Sequence, residues 1–283
     1  MDVPGPAVLA AFGLVGEPVR LIGGQGGSFR VGEAVLKPAE PDPHAAQWLA
    51  ETLAAIEEAG FRVSRPMRTT DGSWDNAGWT ASRFVPGAEP DRASATRWLD
   101  IMEAGRAFHG ALADQPRPGF LDHRCTWWDI GDQVAWEERE VDLMPPLDGL
   151  HQLLRRLAEP LPPPEDAQLV HGDLTGNVLF APGLPPAVID LSPYWRPAAF
   201  AEAVVVGDAL IWHGAGRPLL RAAAAISGPH FVQYVARALI YRLATTNERL
   251  RSGPAAPSRS LAAECDRYER TTRILEAFAR ESN

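Results

Sequence analysis

One run concentrates the side chains able to do chemistry: Leu169-Val170-His171-Gly172-Asp173-Leu174-Thr175-Gly176-Asn177-Val178-Leu179-Phe180, followed by Val188-Ile189-Asp190. Short apolar stretches, read as strands, flank a loop that holds His, Asp and Asn, and a third delivers a second Asp. That set suits phosphoryl transfer. One Asp accepts the proton of an attacking hydroxyl, while an amide and a second carboxylate hold Mg²⁺ against nucleotide phosphates. Asp and Asn also cap turns in many loops, so the reading depends on finding the remaining parts of such a site elsewhere in the chain.

The next part is a cation. Of 27 basic residues, Lys37 is the one lysine. A coding bias toward Arg, Ala, Pro and Gly accounts for the scarcity of Lys but not for the one position that escaped it. A compact ammonium fits between phosphates and a carboxylate, where a broad planar guanidinium does not substitute. Pro18 to Ile22 reads as a strand, then Gly23-Gly24-Gln25-Gly26-Gly27-Ser28 as a loop, Phe29 to Val31 as a second strand, Gly32-Glu33 as a turn, and Ala34 to Lys37 as a third. That order can lay backbone N–H groups over a triphosphate and reach it with one ammonium. His44 to Gly60 carries helical periodicity through Trp48, Leu49, Thr52, Leu53 and Ile56. Glu51, beside that face, is the expected partner of Lys37; Gln47, one turn earlier, is the alternative.

The other elements must hold these groups. A short helix around Val8 to Phe12 precedes the first strand, and Arg62 to Arg68 and Gly78 to Val85 complete a five-stranded sheet. Phe84-Val85-Pro86-Gly87 then reads as a hinge. Ser94 to Ala113, Ala198 to His213, Phe231 to Arg251 and Ser260 to Arg280 are helical. His109, on the first of these, reads as a core or capping residue rather than a ligand. Residues 114–168 have no clear period; they place aromatics and acids together, as in Cys125 to Asp129 and Trp136 to Glu140, and end in the stiff Leu161-Pro162-Pro163-Pro164 connector. Tyr194, Trp195 and Arg196 either contact an acceptor or pack down their own segment, and Arg251 to Arg259 is the stretch with the composition of disorder.

The His171-x-Asp173, Asn177, strand, Asp190 order resembles the catalytic core of the kinase-like superfamily, and His-Gly-Asp resembles its aminoglycoside phosphotransferase and choline kinase branch. The run from Asp190 to Pro197 is similar to an actinobacterial branch of those phosphotransferases. The resemblance implies an α+β, two-lobed protein-kinase-like fold: a five-stranded antiparallel N-lobe sheet over residues 1–85 and a mainly helical C-lobe over 86–283. It implies ATP and Mg²⁺ as cofactors. Gly23, Gly24, Gly26, Gly27 and Ser28 would cover the phosphates, and the main chain of Phe84 and Val85 would meet the adenine. Lys37, held by Glu51, would contact the phosphates, and Asn177 and Asp190 would bind the metal. Asp173 would be the base, His171 would brace the loop, and Asp208 would match the structural Asp that supports it. One departure stands out: Asp173 and Asn177 are four positions apart, where the family loop has five.

A net charge of −9 argues against non-specific nucleic-acid binding. No apolar run of membrane-spanning length and no signal segment is visible, and Cys125 and Cys265 make neither a disulfide framework nor a metal cluster. The expectation is a cytoplasmic protein, monomer or homodimer, without membrane or nucleic-acid partners. Its expected activity is ATP- and Mg-dependent transfer of a phosphoryl group to a hydroxyl of a small molecule. Acidic and aromatic residues in 122–142 tilt the acceptor toward a cationic or amine-bearing one. A nucleotide-binding pseudokinase and nucleotidyl transfer on the same scaffold are the competing readings.

Overall fold

The computed structural model describes residues 3–21, 27–158, 166–228, 230–252 and 261–282. From the N-terminus the chain runs α1 (Pro6–Ala11), β1 (Val19–Arg20), β2 (Phe29–Val31), β3 (Ala34–Pro38), α2 (Pro43–Ala55), β4 (Arg62–Val63), β5 (Pro66–Met67), β6 (Asp75–Asn76), β7 (Trp79–Arg83) and α3 (Ala95–Leu112). It continues through a 3-10 turn (Gly119–Asp122), α4 (Trp127–Ala135), α5 (Pro145–Leu157), β8 (Gln168–His171), β9 (Val178–Leu179), β10 (Ala187–Val188) and β11 (Pro193–Arg196). Four helices follow: α6 (Ala198–Trp212), α7 (Arg217–Ser227), α8 (Phe231–Ser252) and α9 (Leu261–Ser282). The chain forms two compact units, one of residues 1–90, 110–112 and 176–191, the other of 91–109, 113–175 and 192–283.

In the first unit an antiparallel sheet has the order β1-β2-β3-β7-β5, with the short β6 added on β7. Alternation buries Val31, Leu36 and Ala81 on one face, where Val8 and Leu9 of α1 and Phe12 just beyond it cover them. Because successive side chains point to opposite faces, burying Leu36 directs Lys37 away from that core. Two expectations change here. The segment from Arg62 to Arg68 is not one strand: Arg62-Val63 pairs in parallel with Ala187-Val188, and only Pro66-Met67 joins the main sheet. Burial of Phe61 and Val63 draws the first piece away. The helix expected to reach Gly60 stops at Ala55, because Ile56 leaves with extended backbone (ψ 135°) and is buried. Arg65 donates from Nη1 to the carbonyls of Leu53 and Ala54, each at 3.0 Å, satisfying the orphan acceptors of that helix end.

The boundary drawn after Val85 also moves. Compactness carries the first unit to Pro90 and returns 176–191 to it, because β9 and β10 pair with each other and β10 pairs with β4. In the second unit α8 is buried continuously from Tyr234 to Asn247, and α6 from Phe200 to Ile211. Helices buried on every side sit inside a helical core, and α4, α5, α7 and α9 supply that surround. β8 and β11 form an antiparallel ladder, with His171 opposite Pro193 and Val170 opposite Tyr194. Most of the segment 192–197, Pro193–Arg196, is therefore a strand, not merely a rigid connector. The Pro162 to Pro164 connector and nearly all of Arg251 to Arg259 lie outside the described residues.

Candidate active site

The first unit holds the nucleotide-side candidates. Lys37 Nζ is hydrogen-bonded to Asp190 Oδ1 as an ion pair, both side chains being half-exposed. This corrects the expected Lys37–Glu51 pair. Glu51 lies on the exposed face of α2 and accepts from Gln47 Nε2 at 2.9 Å, the two being one turn apart. Asp190 has a positive φ of 51° just beyond β10, a conformation that Asp and Asn tolerate better than most residues. Ile189 N donates to Asn177 O at 2.9 Å, and Val188 faces Val178 across the β9–β10 pair. The register therefore brings Asn177 and Asp190 to the same end of one hairpin.

Leu21 N donates to Ser28 O at 2.9 Å, closing the base of the expected phosphate loop, and Gly27 is buried beside it. Gly23, Gly24 and Gly26 lie outside the described residues. At the hinge, the Phe84 N–H is committed to Glu33 O at 2.8 Å and its ring carries the Arg30 guanidinium 3.6 Å from its centroid. That removes Phe84 as an N–H donor to adenine and leaves Val85. Gly87 and Ala88 lie close against 179–180: Ala88 and Phe180 exchange backbone hydrogen bonds of 3.0 and 2.9 Å. Gly87 has φ 155°, and a Cβ there would meet Leu179 Cβ at 2.8 Å.

The second unit holds the expected base. Asp173 is 46 % exposed, and its Oδ1 accepts from Arg242 Nη2 at 2.9 Å. The same guanidinium grips Asp208 through Nε and Nη2, both at 2.7 Å, and Thr175 Oγ1 donates to Asp208 at 2.7 Å. Asp208 thus supports the loop, as the resemblance implied, both through Thr175 and through an arginine that the sequence reading did not single out. Burial raises the Asp208 pKa, and the Arg242 charge and its hydrogen bonds oppose that shift. Arg242 interrupts an apolar stretch from Ala238 to Ala244. A charge in a buried helix needs a partner, and that was the signal available.

His171 is fully buried, and its Nδ1 accepts from Asp173 N at 3.1 Å. It braces the loop, while its own N–H donates to His109 Nε2 at 2.9 Å. His109 is therefore a buried strut whose pKa is pushed down to about 3, by burial first and by neighbouring His171 second. Gly172 explains why this loop reads His-Gly-Asp. A Cβ there would lie 2.3 Å from the Tyr194 ring. Tyr194 is buried, and burial raises its hydroxyl pKa, so it packs its own segment down. Arg196 does likewise, clamping Asp132 and Glu138 with bonds from 2.6 Å.

The region 117–138 is built from such pairs: Arg117 with Asp122, Arg124 with Asp129, Arg196 with Asp132 and Glu138. Thr126 and Asp129 form a capping box that starts α4. A cavity of about 300 Å³ opens among Asp122, Asp129, Asp132, Glu138, Tyr194 and Arg196. Most of the acidity expected to meet a cation is thus matched internally, four carboxylates against three guanidiniums. No group of three or more His, Cys, Asp or Glu side chains able to hold a metal occurs among the described residues. Both cysteines are free thiols, and no described helix is long and apolar enough to cross a membrane.

No curated protein matches this chain in sequence. Among solved structures, an aminoglycoside phosphotransferase from Alicyclobacillus acidocaldarius subsp. acidocaldarius DSM 446 is similar at TM-score 0.66 and 18 % identity, covering 100 % of this chain and 97 % of that one. A choline/ethanolamine kinase family protein from Mesorhizobium loti is similar at TM-score 0.59 and 20 % identity, over 95 % of this chain and 92 % of that one. A spectinomycin phosphotransferase in complex with ADP and spectinomycin is similar at TM-score 0.53 and 14 % identity, over 94 % and 93 %. At these identities the likeness establishes the fold, and it is the α+β, protein-kinase-like one expected from the sequence. The model of the phosphotransferase enzyme family matches residues 19–194, from the first strand of the sheet through the His171–Asn177 loop to β11. With more than half of its length matched, this chain belongs to the phosphotransferase enzyme family.

Proposed function

We propose that this protein transfers the γ-phosphoryl group of ATP, with Mg²⁺, to a hydroxyl of a small molecule. The observation that carries the reading is the ion pair between the single lysine, Lys37, and Asp190, one turn of chain from Asn177 across the β9–β10 pair. The residues present fit Mg²⁺. A half-exposed carboxylate and a neighbouring amide are hard oxygen donors, too few for an all-protein cage but suited to an ion that keeps waters and takes phosphate oxygens. When bound there, Mg²⁺ supplies charge neutralisation at the β- and γ-phosphates.

In this reading Lys37, now paired with Asp190, would turn to the phosphates, and Asn177 and Asp190 would hold the metal. Asp173 takes the proton of the acceptor hydroxyl as its oxygen bonds to the γ-phosphorus; the bond from phosphorus to the bridging oxygen breaks, and ADP leaves. His171 acts through the loop it braces. The acceptor is assigned to the cavity at 117–138 in the second unit. The four carboxylates that line it against two guanidiniums, and the spectinomycin named for one structural relative, favour an acceptor bearing an ammonium group.

Thermal melting with Mg²⁺ and ATP, beside Lys37→Ala and Asp190→Asn, tests the nucleotide half. A ligand that binds the native state raises Tm by mass action, and both variants should lose that rise. ADP release across a panel of aminated and neutral alcohols tests the transfer. AMP release would instead mark nucleotidyl transfer, and binding without any turnover would mark a non-catalytic nucleotide sensor. No rise in Tm at millimolar Mg·ATP sinks the proposal.

A further inference from the structure

Arg242 is a buried cation set beside the expected base. It is 3 % exposed, as a side chain, and lies on α8, 69 positions from Asp173 in sequence. Its guanidinium is fixed on every side the structure describes: Nε and Nη2 fork onto Asp208, Nη2 also donates to Asp173 Oδ1, and Trp128, Trp212 and Tyr241 surround it with ring centroids 5.3, 5.7 and 4.8 Å from Cζ. Such a group has almost no freedom of its own, so what it donates to is fixed as well.

We propose that Arg242 is the positioning residue for Asp173: α8, through this one guanidinium, fixes the rotation of the carboxylate that receives the acceptor proton. The proposal rests on the phosphoryl-transfer reading above. Three features support it. Asp208, also buried, offsets the charge of Arg242, so the base does not face an uncompensated cation. Thr175 donates to the same Asp208 oxygen that Arg242 holds, so one buried carboxylate fixes the loop at two points, Asp173 and Thr175. The geometry also needs a fork: two nitrogens engage Asp208 while one of them reaches Asp173, which a lysine ammonium on a single stem does not reproduce. The residue acts through Asp173 and contacts no reacting atom.

The test compares ADP release from Mg·ATP, with water as acceptor and with whichever panel alcohol the wild-type protein uses, across two variants. Arg242→Lys keeps the charge but loses the fork. The double variant Arg242→Gln/Asp208→Asn removes both buried charges together, so neither is left unpaired. In both, kcat is expected to fall about 100-fold, the scale of a misplaced catalytic group, while KM for ATP stays within about twofold of wild type and the Mg·ATP thermal shift persists. A role confined to structure would move Tm and KM together with kcat. A kcat within about threefold of wild type in both variants overturns the positioning role and leaves the phosphoryl-transfer reading standing. Failure of both variants to fold would assign the cluster to structure alone, and overturns it too. A wild-type protein that neither binds Mg·ATP nor releases ADP removes the reading first, and the proposal with it.

Discussion

Gly172 and His109 show how individual residues hold the His171–Asn177 loop in place. Adding a methyl at Gly172 places carbon 2.3 Å from the Tyr194 ring, and that ring is buried. Gly172→Ala should therefore cost about 1–3 kcal/mol, as overpacking does, seen as a lower midpoint in denaturant, with partial recovery in Gly172→Ala/Tyr194→Leu. Recovery to no degree would mean the loop is limited by something other than that ring. His109 carries a different prediction. Unfolded, its imidazole takes a proton near pH 6.5; folded, it resists until about 3. The unfolded state binds more protons across that window, so this residue's contribution to stability is complete above 6.5 and is lost as pH falls toward 3. The slope should be up to about 1.4 kcal/mol per pH unit. His109→Gln keeps an acceptor for the His171 N–H but does not titrate, so its unfolding free energy should fall less steeply between pH 6 and 4. An unchanged slope would show that other groups carry the acid sensitivity.

Helices and strands carry the next set of constraints. α4 approaches α8 through Gly131, where a Cβ would lie 2.2 Å from Thr245 Oγ1 and 2.6 Å from the Tyr241 carbonyl oxygen. A side chain can turn away, but a backbone carbonyl inside a buried helix cannot. Gly131→Ala should push α4 off α8 and destabilise the protein by about 2–3 kcal/mol. The displaced helix carries Trp128, Asp129 and Asp132, so any acceptor should show a raised KM with little change in that for ATP. A raised KM for ATP alone would break the link between α4 and the acceptor. The long amphipathic segments of α3, α8 and α9 were legible to within a residue or two, because a 3.6-residue period repeated over many turns leaves little choice, and α6 was legible from the length of its apolar run. α7 and β11 were not. α7 is amphipathic, burying Leu219, Leu220 and Ala223, but its eleven residues give only about three turns of period, and Pro193–Arg196 becomes a strand only because β8 offers it an edge.

For the molecule as a whole, nucleotide binding and stability are one equilibrium. With Mg·ATP at 100 times its Kd, the native state should gain about 2.7 kcal/mol, and Asp190→Asn should remove most of that gain. Asn accepts the positive φ at this position, so the apo variant should melt close to wild type; a large drop in apo Tm would show that the Lys37–Asp190 pair is structural instead.

The sequence alone determined the parts whose identity is local. Lys37 is the only residue of its type, Asp173, Asn177 and Asp190 stand at fixed steps along one short run, and each strand or helix near them is announced by its own period. Tertiary structure decided the pairings. Lys37 meets Asp190 and not Glu51, because distance in the fold, not proximity along a helix, selects a partner. Arg242 meets Asp173 across 69 positions. Its place in the apolar stretch Ala238 to Ala244 marks it as a charge that needs a partner, but only burial on α8 selects Asp208 and Asp173 as those partners.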